Sequence, residues 1–124
     1  MRTGLLALGV LIAAFPATAE AATAPAALRG YYGKDYAACG ADIDLLRITR
    51  RRVETRQVNC KRSDFQGSDR PGQADTFEVR ATTCIPDGQS KGRRQAFRIE
   101  QAADGGIEVF WWDGATSGRL VKCK

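Results

Sequence analysis

Closely spaced carboxylates, four cysteines and two groups of basic residues are the parts of this chain that could do chemistry. Asp42 and Asp44 would project from one face of a strand, as a two-carboxylate hydrolase requires. Such pairs are also common on strand edges, and a domain of this size rarely forms a deep cleft. The chain has no histidine, which excludes nucleophiles that histidine activates. We therefore predict that the protein is not an enzyme, and we assign no catalytic residue.

The cysteines predict disulfides and no metal site. They are Cys39, Cys60, Cys84 and Cys123. No two of them lie within four residues of each other and histidine is absent, so we predict neither a metal nor another cofactor. An even number of cysteines in a small exported domain predicts two disulfides. Of the three ways to pair them, we prefer the sequential one, Cys39 with Cys60 and Cys84 with Cys123.

Basic residues cluster in two predicted turns, and a tryptophan precedes a third. The residues are Arg50, Arg51 and Arg52, then Lys91, Arg93 and Arg94, then Trp112. Alternate turns of an antiparallel meander lie at the same end, so these seven predict one basic rim that binds a phosphate, a sulfate, a uronic acid or an acidic protein surface. The alternative is a solvated surface, on which arginine prevents edge pairing and favours solubility. No nucleic-acid-binding motif is present, and we predict no such partner.

Short strands must position these residues. Asp42 to Cys60 predicts a hairpin with a basic tip, and apolar residues alternate again over Thr76–Cys84, Gln95–Glu100, Ile107–Trp112 and Arg119–Cys123. Glycine-rich turns separate these segments. The sequence therefore predicts an all-β fold, a small antiparallel meander of about six strands that closes as a barrel or packs as a sandwich. The meander leaves the cysteines poorly placed, because it puts Cys84 at the opposite end from the other three.

The first 29 residues predict export. Arg2 precedes an apolar run at Gly4–Phe15, and small residues follow, which predicts a signal peptide over residues 1–21 cut before Glu20 or Ala22. A retained membrane anchor is the alternative, but a span needs roughly 20 apolar residues. We predict a flexible leash at 22–29 outside the core and one domain at 30–124. The product is then periplasmic or secreted, with no membrane span after cleavage.

Two tyrosines between glycines, Tyr31 and Tyr32, begin the predicted domain. The pattern favours a tight entry at which one tyrosine plugs an end of the core. A small platform on which a carbohydrate ring stacks is the alternative.

The order of these features resembles a group of small exported four-cysteine β-proteins of Gram-negative bacteria. The resemblance rests on the segment Gly30–Gly33, the four cysteines, the Leu-Arg-Ile-Thr segment before the basic turn, and the terminal Leu-Val-Lys-Cys. Phe110, Trp111 and Cys123 also resemble periplasmic inhibitors of C-type lysozyme, and that resemblance implies Ala115–Gly118 as the loop that enters the lysozyme cleft. We predict a non-enzymatic envelope protein that binds an anionic ligand through the basic rim, with lysozyme inhibition as the alternative.

Overall fold

In the part of the chain that the structure describes, eight antiparallel strands, paired in chain order, form a closed barrel. The computed structural model describes residues 22–67 and 75–124, so the predicted signal peptide lies outside the described residues. The strands are β1 Gly30–Gly33, β2 Leu46–Ile48, β3 Arg52–Glu54, β4 Val58–Gly67, β5 Asp75–Pro86, β6 Arg93–Gln101, β7 Ile107–Phe110 and β8 Thr116–Lys122; a 3-10 helix spans Ala26–Leu28 and α1 spans Tyr36–Ala41. The all-β prediction is confirmed, and the count of about six strands is wrong.

Two segments account for the extra strands. Gly30–Gly33, predicted as a tight entry, is a strand that pairs with both β2 and β8 and so closes the barrel. The second strand of the predicted hairpin is divided into β3 and β4 by a turn at Thr55. The Thr55 hydroxyl accepts hydrogen bonds from the amides of Gln57 and Val58 at 3.0 and 3.1 Å. The threonine hydroxyl thus takes the place of a cross-strand carbonyl as acceptor for these amides, and the chain reverses there.

Alternation places the core as the sequence predicts over β5 and β6. Val79, Ala81, Phe97 and Ile99 are buried inside the barrel. In β4 the alternation breaks at Arg62, whose φ is 52°. This left-handed residue lets Cys60 and Ser63 both face inward although three positions separate them, while the register with β5 stays the same on both sides.

Both disulfides form, but the sequential pairing is wrong. Cys39 is bonded to Cys123, and Cys60 to Cys84. Cys60 and Cys84 are direct partners in the register of β4 and β5. Cys39 lies in α1, and the Cys123 amide donates to the Tyr31 carbonyl at 2.8 Å, so the second bridge holds α1 against the seam of β1 and β8. Two disulfides fit an oxidising compartment.

The segment before β1 closes one end of the barrel, which we call the plugged end. Ala24 and Leu28 are fully buried in the core. The Ala24 amide donates to the Arg50 carbonyl at 2.8 Å, and the Gln101 side chain donates to the Ala27 carbonyl at 3.0 Å. The prediction that 22–29 lies outside the core is therefore wrong, because small apolar side chains and paired backbone groups let the segment pack there.

Tyr32 completes the core next to this segment. Its ring is fully buried, and its hydroxyl donates to the Leu28 carbonyl at 2.7 Å. The prediction that one of the two tyrosines plugs the core is confirmed for Tyr32, while Tyr31 remains 46% exposed. Within the described ranges, no helix is both long and apolar enough to span a bilayer.

Candidate ligand-binding mouth of the barrel

The end opposite the plug opens into a cavity of about 530 Å³, which we call the mouth. The connections after β1, β3 and β7 line it, together with Pro86 at the end of β5, because alternate connections of an antiparallel barrel lie at the same end. The lining residues are Leu46, Val58, Trp111 and Leu120 from the barrel wall, Ile43 and Trp112 at the lip, and the polar or turn residues Lys34, Asp44, Thr55, Gln57, Pro86, Asp113 and Ser117.

Three aromatic rings connect the core to the lip of the mouth. Phe97 is buried, and its ring centroid lies 5.1 Å from that of Trp111. Trp111 in turn lies 5.6 Å from Trp112 in an edge-on arrangement, and Trp112 is 40% exposed. Edge-on and tilted pairs are favourable, so the core holds the exposed ring in a fixed place. The mouth therefore presents a rigid aromatic wall to solvent.

The loop after α1 places a second apolar side chain at the lip. Asp42 ends the helix in the left-handed conformation with φ 57°, and Asp44 adopts a similar φ of 49°. The Ile43 amide between them donates to the Ala38 carbonyl at 3.2 Å. The two turns leave Ile43 exposed above the mouth. Aspartate tolerates this backbone better than most residues do.

The two aspartates do not form the predicted carboxylate pair on a strand. Both lie in the loop between α1 and β2, and only Asp44 lines the mouth. Its carboxylate lies 3.4 Å from the Arg56 guanidinium. Asp113, the other carboxylate at the mouth, accepts the Ala115 amide at 3.0 Å and so stabilises its own turn. Lys34 is the one cation among the lining residues, which makes the lining close to neutral.

The predicted basic rim does not exist as one surface. Trp112 lies at the mouth, and Lys91, Arg93 and Arg94 are exposed near that end without lining the cavity. Arg50, Arg51 and Arg52 lie at the plugged end, in and beside the turn between β2 and β3. The Thr55 turn is the physical reason: one additional reversal moves the arginine turn to the opposite end from the later loops.

Sequence reasoning missed most of the mouth. It assigned a ligand-binding role to Trp112 but not to Trp111 or Ile43, because their position depends on which loops meet. The polar interruption Thr55–Gln57 between Val53 and Val58 was the signal that could have revealed the additional turn. Among residues 22–67 and 75–124, no group of three metal-binding side chains comes together.

The segment that the lysozyme-inhibitor resemblance singled out belongs mainly to the barrel wall. Thr116, Ser117 and Gly118 are part of β8. The Thr116 hydroxyl donates to the Glu108 carboxylate at 2.8 Å, and the Val109 amide donates to the Ser117 hydroxyl at 2.8 Å. Lysozyme inhibition stays a prediction, which mixing the oxidised protein with C-type lysozyme and following cell-wall lysis would test.

Comparison with known proteins finds no matching family model, no matching curated protein and no matching solved structure.

Proposed function

We propose that this is a non-enzymatic exported protein, periplasmic or secreted, whose barrel mouth binds one small amphipathic molecule. The observation that carries the proposal is the cavity of about 530 Å³ at the open end, with Leu46, Val58, Trp111 and Leu120 on its wall. Small-molecule sites are typically cavities of about 300 to 1,000 Å³ with mostly apolar walls and a few polar groups. An eight-stranded barrel is also wide enough to hold one small ligand.

The distribution of exposed apolar side chains supports the same site. Among the described residues, four large apolar side chains are exposed, and Ile43 and Trp112 are two of them. Both line the mouth, although leaving apolar surface in water has no benefit for folding. A ligand with an apolar body would cover them. Its polar edge would meet rim groups such as Lys34 and Gln57.

Binding of the neutral probe N-phenyl-1-naphthylamine tests the proposal. We expect saturable fluorescence enhancement with one site per protein. Trp112→Ala should weaken binding about fivefold or more, since one lost aromatic contact corresponds to about 1 kcal/mol or more. Gln57→Trp should block binding, because a large ring at the rim fills the mouth.

The control is Tyr36→Ala, which removes another exposed aromatic ring that does not line the mouth. It should leave the affinity for the probe unchanged. Equal affinity in wild type, Trp112→Ala and Gln57→Trp would show that the probe binds elsewhere and would refute the proposal, as would the absence of saturable binding.

A further inference from the structure

We propose that the protein has a second site, a basic groove at the plugged end, that binds a ligand carrying several phosphate or sulfate groups. The basic groove is lined by Thr49, Arg51, Arg52, Lys61 and Arg62 and has a volume of about 430 Å³. Only two of these residues belong to the rim that the sequence predicted. Lys61 and Arg62 join them because β4 pairs with β3.

Hydrogen bonds fix the backbone that carries the groove. The Ser63 amide donates to the Arg51 carbonyl at 2.8 Å, which joins the turn after β2 to β4. The Thr49 amide donates to the Arg52 carbonyl at 2.9 Å and closes that turn. Ser63 is fully buried, so the β4 side of the groove is anchored in the core. The cationic side chains therefore start from fixed positions, which lowers the entropy lost on binding.

The charges of the groove are unbalanced in the free protein. Four cationic side chains line it, and no carboxylate among the described residues does so. The ion pairs of the described chain engage Arg47, Arg56, Arg98 and Arg119, none of which lines the groove. Arg52 and Lys61 are direct cross-strand partners. Like charges placed opposite each other in a sheet are unfavourable, and a bound anion would relieve the repulsion.

The left-handed backbone of β4 at Arg62 turns a further arginine toward this surface. Cys60 faces inward, so in a regular strand the residue two positions later would face inward as well. The left-handed backbone of Arg62 instead places its side chain outside, where it lines the groove. That conformation costs an ordinary residue about 1 to 2 kcal/mol. Strain of this kind concentrates at functional sites.

Arginine side chains and the size of the groove define the ligand class. Guanidinium groups bind phosphate and sulfate through two parallel hydrogen bonds. Three arginines and one lysine match a ligand with more than one such group, either a soluble oligophosphate or the phosphorylated headgroups of a lipid surface. The mouth, whose lining is close to neutral, offers no comparable charge.

Calorimetric titration of the oxidised protein with inorganic tripolyphosphate tests the groove. Arg52→Gln/Lys61→Gln should weaken binding at least about tenfold, as the loss of charge-assisted hydrogen bonds implies. The same double variant should raise Tm in the absence of ligand, because it removes the repulsion between the two strands. A merely structural role for these residues would lower Tm instead.

The matched control is Arg93→Gln/Arg94→Gln, which removes the same charge from exposed residues that do not line the groove. At an ionic strength of about 0.15 M it should weaken binding clearly less than the groove variant does, since exposed charges that do not contact the ligand are largely screened. Equal weakening by both double variants, or no binding by wild type at low salt, would overturn the proposal. Sedimentation with vesicles containing phosphatidic acid distinguishes the sources. If the protein sediments with the vesicles and tripolyphosphate releases it, the groove binds phosphorylated lipid headgroups. If the protein binds tripolyphosphate but does not sediment with the vesicles, the ligand is a soluble oligophosphate.

Discussion

Three residues with a left-handed backbone shape the two candidate sites. Apart from glycine, Asp42, Asp44 and Arg62 are the residues with positive φ in the described part of the chain. The two aspartates turn the loop that raises Ile43 at the mouth, and Arg62 turns its own side chain into the basic groove. Aspartate often adopts this conformation, whereas arginine rarely does. The left-handed backbone at Arg62 is therefore the stronger indication of a functional constraint.

Tyr32 should make the stability of the fold fall at alkaline pH. Burial removes the Tyr32 hydroxyl from solvent, and this desolvation raises its pKa from 10.0 to about 12. Between those values the unfolded chain loses a proton that the folded protein keeps. The contribution of Tyr32 to the free energy of unfolding is complete below pH 10 and is lost as the pH rises through 12. The free energy of unfolding should fall by about 2 to 3 kcal/mol over this range. Urea unfolding followed by circular dichroism at several pH values measures it.

Tyr32→Phe should abolish this alkaline fall and, by removing the hydrogen bond to the Leu28 carbonyl, lower stability at neutral pH by about 1 kcal/mol. Tyr31→Phe alters an exposed ring and serves as the control, which should retain the fall. An unchanged pH profile in Tyr32→Phe would contradict the assignment.

Asp64 should bind the amino terminus that cleavage of the predicted signal peptide would create. The Ala22 amide donates to the Asp64 carboxylate, and the Phe65 amide donates to the Ala22 carbonyl. If processing cuts after Ala21, the new ammonium group faces that carboxylate. Intact mass should show a chain that begins at Ala22. Asp64→Asn should lower Tm in that chain, whereas a mature chain that begins at Glu20 would contradict the prediction.

Two elements shorter than five residues determine the layout of the barrel. The turn at Thr55 adds one reversal, and β1 supplies the pairing that joins β2 to β8. The segment before β1 then fills the plugged end, where the Ala27 carbonyl accepts hydrogen bonds from Gln101 and Lys122. Neither sequence stretch is hydrophobic enough to be recognised alone. Each acquires its role from its neighbours in the barrel.

Tight packing between the turn before β7 and β8 should make Gly106 intolerant of a side chain. A Cβ atom at Gly106 would lie 2.6 Å from the Leu120 carbonyl oxygen. Gly106→Ala should therefore destabilise the fold by about 1 to 3 kcal/mol. Gly40→Ala places the same methyl group in α1 with no atom within 4 Å and should stabilise it by about 0.5 to 1 kcal/mol. Chemical unfolding of both variants checks the contrast, and equal effects would contradict it.

At the scale of the whole molecule, the two ends of the barrel differ in chemistry. The mouth is apolar and close to neutral, while the basic groove collects four cations near the plug. The net charge of +5 is thus distributed unevenly. A protein with this arrangement could bind an apolar molecule at one end while it is held on an anionic partner at the other. The two proposals remain separable, because their variants lie on different loops.

The disulfide pattern can be read directly by non-reducing peptide mapping. Arginine and lysine residues separate all four cysteines, so trypsin places each on its own peptide. We expect the Cys39 peptide linked to that of Cys123, and the Cys60 peptide linked to that of Cys84. Sequential linkage would contradict the fold. Cys39→Ser/Cys123→Ser should cost about 4 to 5 kcal/mol, since that bridge closes the longer loop, with a sequence separation of 84.

The sequence by itself determined the fold class, the presence of disulfides and much of the core. Alternation is a local property, so Val79, Phe97 and Ile99 could be placed inside from their neighbours alone. The number of cysteines predicted two disulfides, because a count does not require knowing which residues lie close together in space.

Only the tertiary structure decided which cysteines pair, which loops share an end and what fills the barrel. These depend on contacts between residues far apart in the chain, and a single uncounted reversal at Thr55 changes them all. The predicted basic rim was divided for this reason. Arg51 and Arg52 joined Lys61 and Arg62 instead, because pairing between β3 and β4 brings these residues together.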